Sequence, residues 1–177
     1  PEGVRDIYNE ECEKKLELQD RLHKALKRHG YHSIQTPTFE FFDIFGKEVG
    51  TIPSSELYKF FDREGNTLVL RPDITPSIAR SAAKYFMDED MPIRLSYMGN
   101  TFINNHSYQG RLKESTQLGA ELIGDDTVDA DAEMIAMAID ALKSSGLKDF
   151  QISVGHVEFF RGLMEAAGLS EEQEEVI

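Results

Sequence analysis

The segment that most constrains this chain runs from Arg94 to Gly124, RLSYMGNTFINNHSYQGRLKESTQLGAELIG. It reads as two antiparallel strands joined by a long polar loop. In the second strand Leu118, Ala120 and Leu122 point to one face, which must be core, and Gln117, Gly119 and Glu121 point to the other. A glycine between two polar side chains leaves a flat patch where a small ligand can lie against the backbone. Gln117 offers both a donor and an acceptor, and Glu121 a charged acceptor that suits an ammonium or imidazole N–H. The same alternation also suits a solvent-exposed polar face with a glycine chosen for twist.

The flanking sequence supplies helices. Glu10 to His29 carries Leu18, Leu22, Ala25 and Leu26 at helical spacing, and Gly30 is placed to stop it. Tyr31 to Pro37 reads as an extended segment that Pro37 keeps out of a central strand. Leu57–Phe61 and Thr67–Leu70 form a hairpin about the turn Asp62-Arg63-Glu64-Gly65-Asn66. Thr75 suits an N-cap and Pro76 a first helical position, so a helix is expected through Ala79, Ala83 and Phe86. Val128 to Ser145 is a well-marked helix: Asp129, Asp131 and Glu133 favour its N-terminus and Lys143 its C-terminus. Its expected apolar face is Ile135, Ala138, Ile139 and Leu142, and Gly146 closes it. Asp149 to Gly155 reads as a last strand and Val157 to Ala167 as another helix. Hairpins mixed with helices give an α+β class, an antiparallel sheet flanked by helices.

Repeats, low-complexity segments and an internal linker are absent from the sequence, so residues 1–177 are expected to form one domain, long enough for a substantial core. The chain starts at Pro1 and stops within an acidic helical run, Ser170 to Ile177, so it is expected to be the N-terminal part of a longer chain. A net charge of −13 repels phosphate backbones and counts against tRNA binding. No run approaches the ~20 apolar residues that span a bilayer. The lone Cys12 fits a reducing cytoplasm, the expected location, and its charged helical setting points away from catalysis. His23, His29, His32, His106 and His156 lack metal-ligand spacing, and phosphate-binding glycine loops of Walker or Rossmann type are missing, so neither metal nor cofactor is expected.

The helix, Gly-Tyr, strand and Thr36-Pro37 succession resembles the first signature motif of class II aminoacyl-tRNA synthetases, which forms the dimer interface in that family. The Arg94–Gly124 hairpin resembles the second motif in its histidyl-tRNA synthetase version. There the first strand ends in Phe-Arg, and the loop returns through a Gly-Arg pair. This chain keeps Gly110-Arg111 but ends its strand in Phe102-Ile103. The spacing from Ile103 to Gly110-Arg111 and on to Gln117 and Glu121 matches without an insertion, so Ile103 stands at the arginine position. Leu70-Arg71-Pro72-Asp73-Ile74-Thr75 resembles the family's Leu-Arg-Pro-Glu-x-Thr segment, with aspartate for glutamate.

The resemblance covers nearly the whole chain and implies a class II synthetase-like fold. It implies an amino-acid pocket, for histidine or a similar ligand, built from Asp73, Thr75, Gln117 and Glu121. Arg111 is a further candidate ligand contact, or else the ion-pair partner of Glu114. Activation chemistry is another matter. The family's arginine grips the ATP α-phosphate and the substrate carboxylate, and loss of one preorganised donor costs about 3–4 kcal/mol of barrier. The loop Asn104-Asn105-His106-Ser107-Tyr108-Gln109 also departs from the family's Glu-Arg-Pro-Gln. These departures resemble those of the ATP phosphoribosyltransferase regulatory subunits. That likeness implies a protein with no catalytic residues of its own, dimeric through the first motif. It would pair with a short-form catalytic subunit in the first step of histidine biosynthesis and convey histidine feedback. A histidyl-tRNA synthetase catalytic domain with an atypical second motif is the alternative, and another amino-acid-binding paralogue a third.

Overall fold

In the computed structural model, which describes residues 2–45, 52–105 and 111–168, the chain forms α1 (Asn9–Arg28), β1 (His32–Ser33), β2 (Phe39–Phe41), β3 (Lys59–Phe61), β4 (Thr67–Leu70), α2 (Thr75–Tyr85), β5 (Ile93–Phe102), β6 (Glu114–Ile123), α3 (Val128–Ser145) and α4 (Val157–Ala166). Short 3-10 turns lie at Phe42–Ile44 and Ser54–Glu56. These elements fall into two compact units, Pro1–Leu147 and Lys148–Ile177.

The expected hairpin is present as β5 and β6, paired antiparallel over ten positions from Ile93↔Ile123 to Phe102↔Glu114. Its loop, His106 to Gly110, lies outside the described residues, as does the acidic run Ser170 to Ile177. The single antiparallel sheet read from sequence divides into two three-stranded sheets, β1-β5-β6 and β2-β4-β3. The first is mixed, because β1 runs parallel to β5 (His32↔Leu95, Ser33↔Ser96). The second contains the expected β3–β4 hairpin, whose turn is tied by Asp62 Oδ1 accepting from Asn66 N at 2.8 Å and Glu64 N at 3.0 Å. Its third strand, β2, is not foreseen in the sequence. Alternation is inverted there: Glu40 is buried between exposed Phe39 and Phe41, and is held by Arg80 of α2 at 2.5 Å.

α1 ends as its sequence dictates. Gly30 adopts φ +83°, Tyr31 N donates to Leu26 O at 3.3 Å and Gly30 N to Lys27 O at 3.1 Å. This double closure brings Tyr31 onto Leu26, and both are buried with Met137 of α3. Leu118, Ala120 and Leu122 pack on the same cluster, so the expected core face of β6 is correct. On the other face of the sheet α2 covers Ile93, Leu95 and Tyr97 through Ile74 and Ile78. Phe45, Leu57 and Val69 make a smaller cluster with the second sheet.

Two expectations need correction, the last strand and the inward face of α3. Asp149–Gly155 forms no strand, because its backbone finds no ladder partner among the described residues. The expected helix is present as α2, with Phe86 as its C-cap, and it turns Ser77, Ile78, Ser81 and Ala82 inward while Ala79 and Ala83 are exposed. α3 spans the expected residues and is closed by Gly146 at φ +102°, but it buries Ala130 and Met137 while Ile135, Ile139 and Leu142 are half-buried and Ala138 exposed. Glu133 explains the rotation. Arg94 of β5 donates to both its oxygens at 2.7 Å, and Tyr31 OH donates at 3.0 Å, drawing that side of the helix onto the sheet.

These contacts set the Glu133 carboxyl low, at about 2 against an ordinary 4.5, chiefly through the Arg94 hydrogen bond. A depressed carboxyl contributes stability above its unfolded value, and that stability is lost as pH falls from about 4.5 toward 2. The pair is about a quarter exposed, so the contribution is about 1–2 kcal/mol rather than the full linkage figure. Glu133→Gln should therefore remove most of this acid-limb slope in denaturation curves recorded between pH 5 and 2. A slope equal to that of the parent would show that other carboxylates govern it. Thr127 caps α3, its Oγ1 accepting from Ala130 N at 3.3 Å. Thr127→Ala should lower unfolding free energy by about 1 kcal/mol without changing the m-value in urea titrations.

Candidate functional site

The four residues expected to form a pocket converge from two elements onto one face of the sheet. Asp73 and Thr75 stand at the start of α2, and Gln117 and Glu121 on the α2-facing side of β6. Thr75 does not cap the helix as expected. The N-cap position is Ile74, and just ahead of the helix Asp73 Oδ1 accepts from Ile74 N at 2.7 Å and Thr75 N at 3.4 Å. That frees the Thr75 hydroxyl, which donates to Glu121 Oε1 at 2.8 Å. Gln117 bridges the same corner. Its Nε2 donates to Asp73 Oδ1 at 2.9 Å and its Oε1 accepts from Ile74 N at 3.2 Å. All four side chains are thus joined in hydrogen-bonded pairs.

The centre of the cluster is held by a residue that sequence reasoning missed. Tyr97 lies opposite Gly119 in the β5–β6 register. Its OH donates to Glu121 Oε1 at 3.2 Å and lies 3.2 Å from Thr75 Oγ1. The flat patch expected over Gly119 is therefore not open, because the Tyr97 ring lies across it so closely that a Cβ at position 119 would collide with the phenol. The signal was present in the sequence: an aromatic residue paired across a hairpin with a glycine. Burial first, then the charges of Glu121 and Asp73, push the Tyr97 phenol up to about 12. It stays neutral at physiological pH and keeps its proton for donation.

Two carboxylates therefore face one small region beside neutral hydroxyl and amide groups. Neither Asp73 nor Glu121 has an ion-pair partner among the described residues. Such a site attracts a cation with several N–H donors, as an amino acid's ammonium provides.

The outgoing strand is built differently. Ile103 directly follows β5, and its N–H donates to Lys113 O at 2.9 Å, so the side chain at the hairpin's mouth is apolar. Asn104 N donates to Glu56 O at 2.8 Å, and Asn105 is buried. Arg111 is exposed, and the Glu114 carboxylate suggested as its partner accepts from Asn100 Nδ2 at 2.6 Å instead. Gly110 lies outside the described residues.

Beside these two strands sits a buried cation. Arg71 is 7% exposed. Its Nε donates to Asn100 O at 2.9 Å, and its Nη1 to Thr36 O at 2.9 Å and Pro37 O at 3.2 Å. Its own backbone carbonyl accepts from Phe102 N at 3.0 Å. Burial holds its guanidinium below the usual arginine range, partly offset by the Glu40 charge.

Comparison with known proteins agrees with this geometry. The family model of histidyl-tRNA synthetase matches residues 3–177. An ATP phosphoribosyltransferase regulatory subunit from Acetivibrio thermocellus is 52% identical over 99% of this chain and 42% of its own length. One from Ruminiclostridium cellulolyticum is 49% identical over 100% of this chain and 42% of its own. The chain thus spans less than half the length of these relatives. A Bacillus halodurans structure described as an ATP phosphoribosyltransferase regulatory subunit/histidyl-tRNA synthetase superposes with a TM-score of 0.80, at 43% identity over 89% of this chain and 40% of that one. The apo histidyl-tRNA synthetase of S. aureus superposes at 0.69, with 31% identity over 84% of this chain and 35% of that one. By its fold, its hairpin and its assembled acid cluster, the chain belongs to the histidyl-tRNA synthetase family and shares its class II architecture.

Proposed function

We propose that this chain is part of a non-catalytic regulatory subunit of ATP phosphoribosyltransferase, acting in the cytoplasm with a short-form catalytic subunit at the first step of histidine biosynthesis. The observation that carries this reading is the division within one hairpin. The returning strand holds Gln117 and Glu121 in a closed network with Asp73 and Thr75. The outgoing strand ends in Ile103 where the family's activating arginine stands. Adenylate formation needs fixed positive charge at the developing phosphate charge, and an isoleucine supplies none. The names carried by relatives at 52% and 49% identity support the same reading.

In this reading Asp73 and Thr75 take the ammonium of histidine, while Glu121 takes an imidazole N–H. Gln117 orients the ligand, Arg111 is a peripheral contact, and no tRNA is bound. α1 and the Tyr31–Pro37 segment form the dimer contact. Feedback then requires that histidine bind differently to the active and inhibited assemblies.

Mixing the full-length protein with a short-form catalytic subunit should restore transferase activity that histidine inhibits. The protein alone should show no histidine-dependent pyrophosphate exchange, and robust exchange would overturn the reading in favour of a synthetase. Within the pocket, Glu121→Ala and Gln117→Ala should each weaken histidine binding by about tenfold or more in calorimetry, since each leaves hydrogen-bonding groups unpaired. Unchanged binding and unchanged inhibition would place the effector elsewhere.

A further inference from the structure

The two acids of the pocket share a pattern: each carboxylate has one oxygen filled by the protein and one left open. Asp73 Oδ1 accepts from Ile74 N at 2.7 Å, Gln117 Nε2 at 2.9 Å and Thr75 N at 3.4 Å. Glu121 Oε1 accepts from Thr75 Oγ1 at 2.8 Å and Tyr97 OH at 3.2 Å. Asp73 Oδ2 and Glu121 Oε2 have no donor among the described residues.

This division decides which nitrogen donors Glu121 can hold. A carboxylate oxygen carries two lone pairs, so two hydroxyls saturate Oε1 and only Oε2 is left for a ligand. A guanidinium binds a carboxylate as a fork, with one N–H on each oxygen. An imidazole N–H needs a single oxygen. The hydroxyls on Oε1 therefore admit the second kind of donor and block the first.

Of the two hydroxyls, that of Tyr97 is the more firmly placed. Its ring is 6% exposed and packs with Ile74, Ile78, Ile93 and Leu95. It lies opposite Gly119 in the ladder, and a Cβ at position 119 would collide with both its Cζ and its hydroxyl. Ring and glycine together hold the phenol against Glu121. With its titration pushed up to about 12, the phenol keeps its proton at physiological pH and the block stays in place.

We propose that Tyr97 is a specificity-determining residue of this pocket. It fills the second lone pair of Glu121 Oε1, so the pocket takes a single N–H at Oε2 and rejects a guanidinium. The inference rests on the assignment of Glu121 to the ligand's imidazole N–H made above.

The test is calorimetric titration of the full-length protein with histidine and with α-amino-β-guanidinopropionate, which carries a guanidinium on the same one-carbon stem as the imidazole. The parent should bind histidine at least about tenfold more tightly, the worth of one hydrogen bond to a charged group. Tyr97→Phe keeps the ring and opens one lone pair of Oε1, so it should shift the ratio of the two affinities toward the guanidinium by about tenfold. A role in packing alone would weaken both ligands together and leave the ratio unchanged. Equal affinities in the parent would overturn the proposal without recourse to any variant. So would an unmoved ratio in Tyr97→Phe while Glu121→Ala loses histidine binding. Unchanged histidine binding in Glu121→Ala would instead remove the pocket assignment itself, and the proposal with it.

Discussion

Where β1 parts from β5 after Ser33, the edge of β5 needs a partner that no strand supplies, and the Arg71 side chain takes that place. Its guanidinium donates to Asn100 O on one side and to Thr36 O and Pro37 O on the other. The backbone of the same residue continues the bridge, donating to Thr38 O and accepting from Phe102 N, both at 3.0 Å. One residue therefore joins β4 of the small sheet to β5 of the large one. It also leads directly into Asp73. These part-buried carbonyls take their donors from a buried arginine, so the junction depends on Arg71 despite the cost of burying its charge. The position of α2, and with it Asp73 and Thr75, follows from this junction.

The opposite face of the large sheet is fixed by different means. Tyr31, turned inward by the left-handed Gly30, meets Glu133, which Arg94 holds with two bonds of 2.7 Å. Arg28 and His29 reach Asp140 farther along α3 at 3.0 and 3.2 Å. Helices α1 and α3 are thereby keyed to β5 by polar contacts as well as by the Leu26–Tyr31–Met137 cluster. The strand that presents Tyr97 to the acid cluster on one face thus presents Arg94 to this clamp on the other.

Much of this was legible in the residues. Alternation fixed which side of β6 is core, and the Gly30 and Gly146 stops and the Asp62–Asn66 turn followed from local chemistry. The four pocket residues were identified as a group and do meet. What sequence periodicity missed shares a cause: polar residues that tertiary contacts pull inward. Glu40 reads as an exposed polar residue between two phenylalanines, yet Arg80 draws it inside and turns Phe39 and Phe41 out. Glu133 reads as a charge suited to a helix N-terminus, yet Arg94 makes it the inward face of α3. Tyr97 drew no reading from its local pattern, yet its hydroxyl reaches Glu121 and Thr75. Each depends on a partner distant in sequence, which a local period cannot register. Asp149–Gly155 failed in the converse way, since alternation alone cannot provide a neighbouring strand.

The two strands of the hairpin are held by different means. The end of β5 is held by backbone bonds, Phe102 N to Arg71 O and Ile103 N to Lys113 O, at 3.0 and 2.9 Å. Neither depends on which side chain stands at position 103. An arginine there adds charge to the mouth of the hairpin but no support to the sheet, so an isoleucine can replace it without moving β6. The acid cluster, in contrast, is built from side chains that bond one another. Glu121 receives both Thr75 and Tyr97, and Asp73 receives Gln117 and the Ile74 N–H just ahead of α2. Loss of any one would leave its neighbours with unmet hydrogen bonds at a half-buried site. Side-chain coupling therefore ties the Gln117–Glu121 face of β6 to α2, while the end of β5 rests on backbone bonds that any residue but proline at position 103 can make.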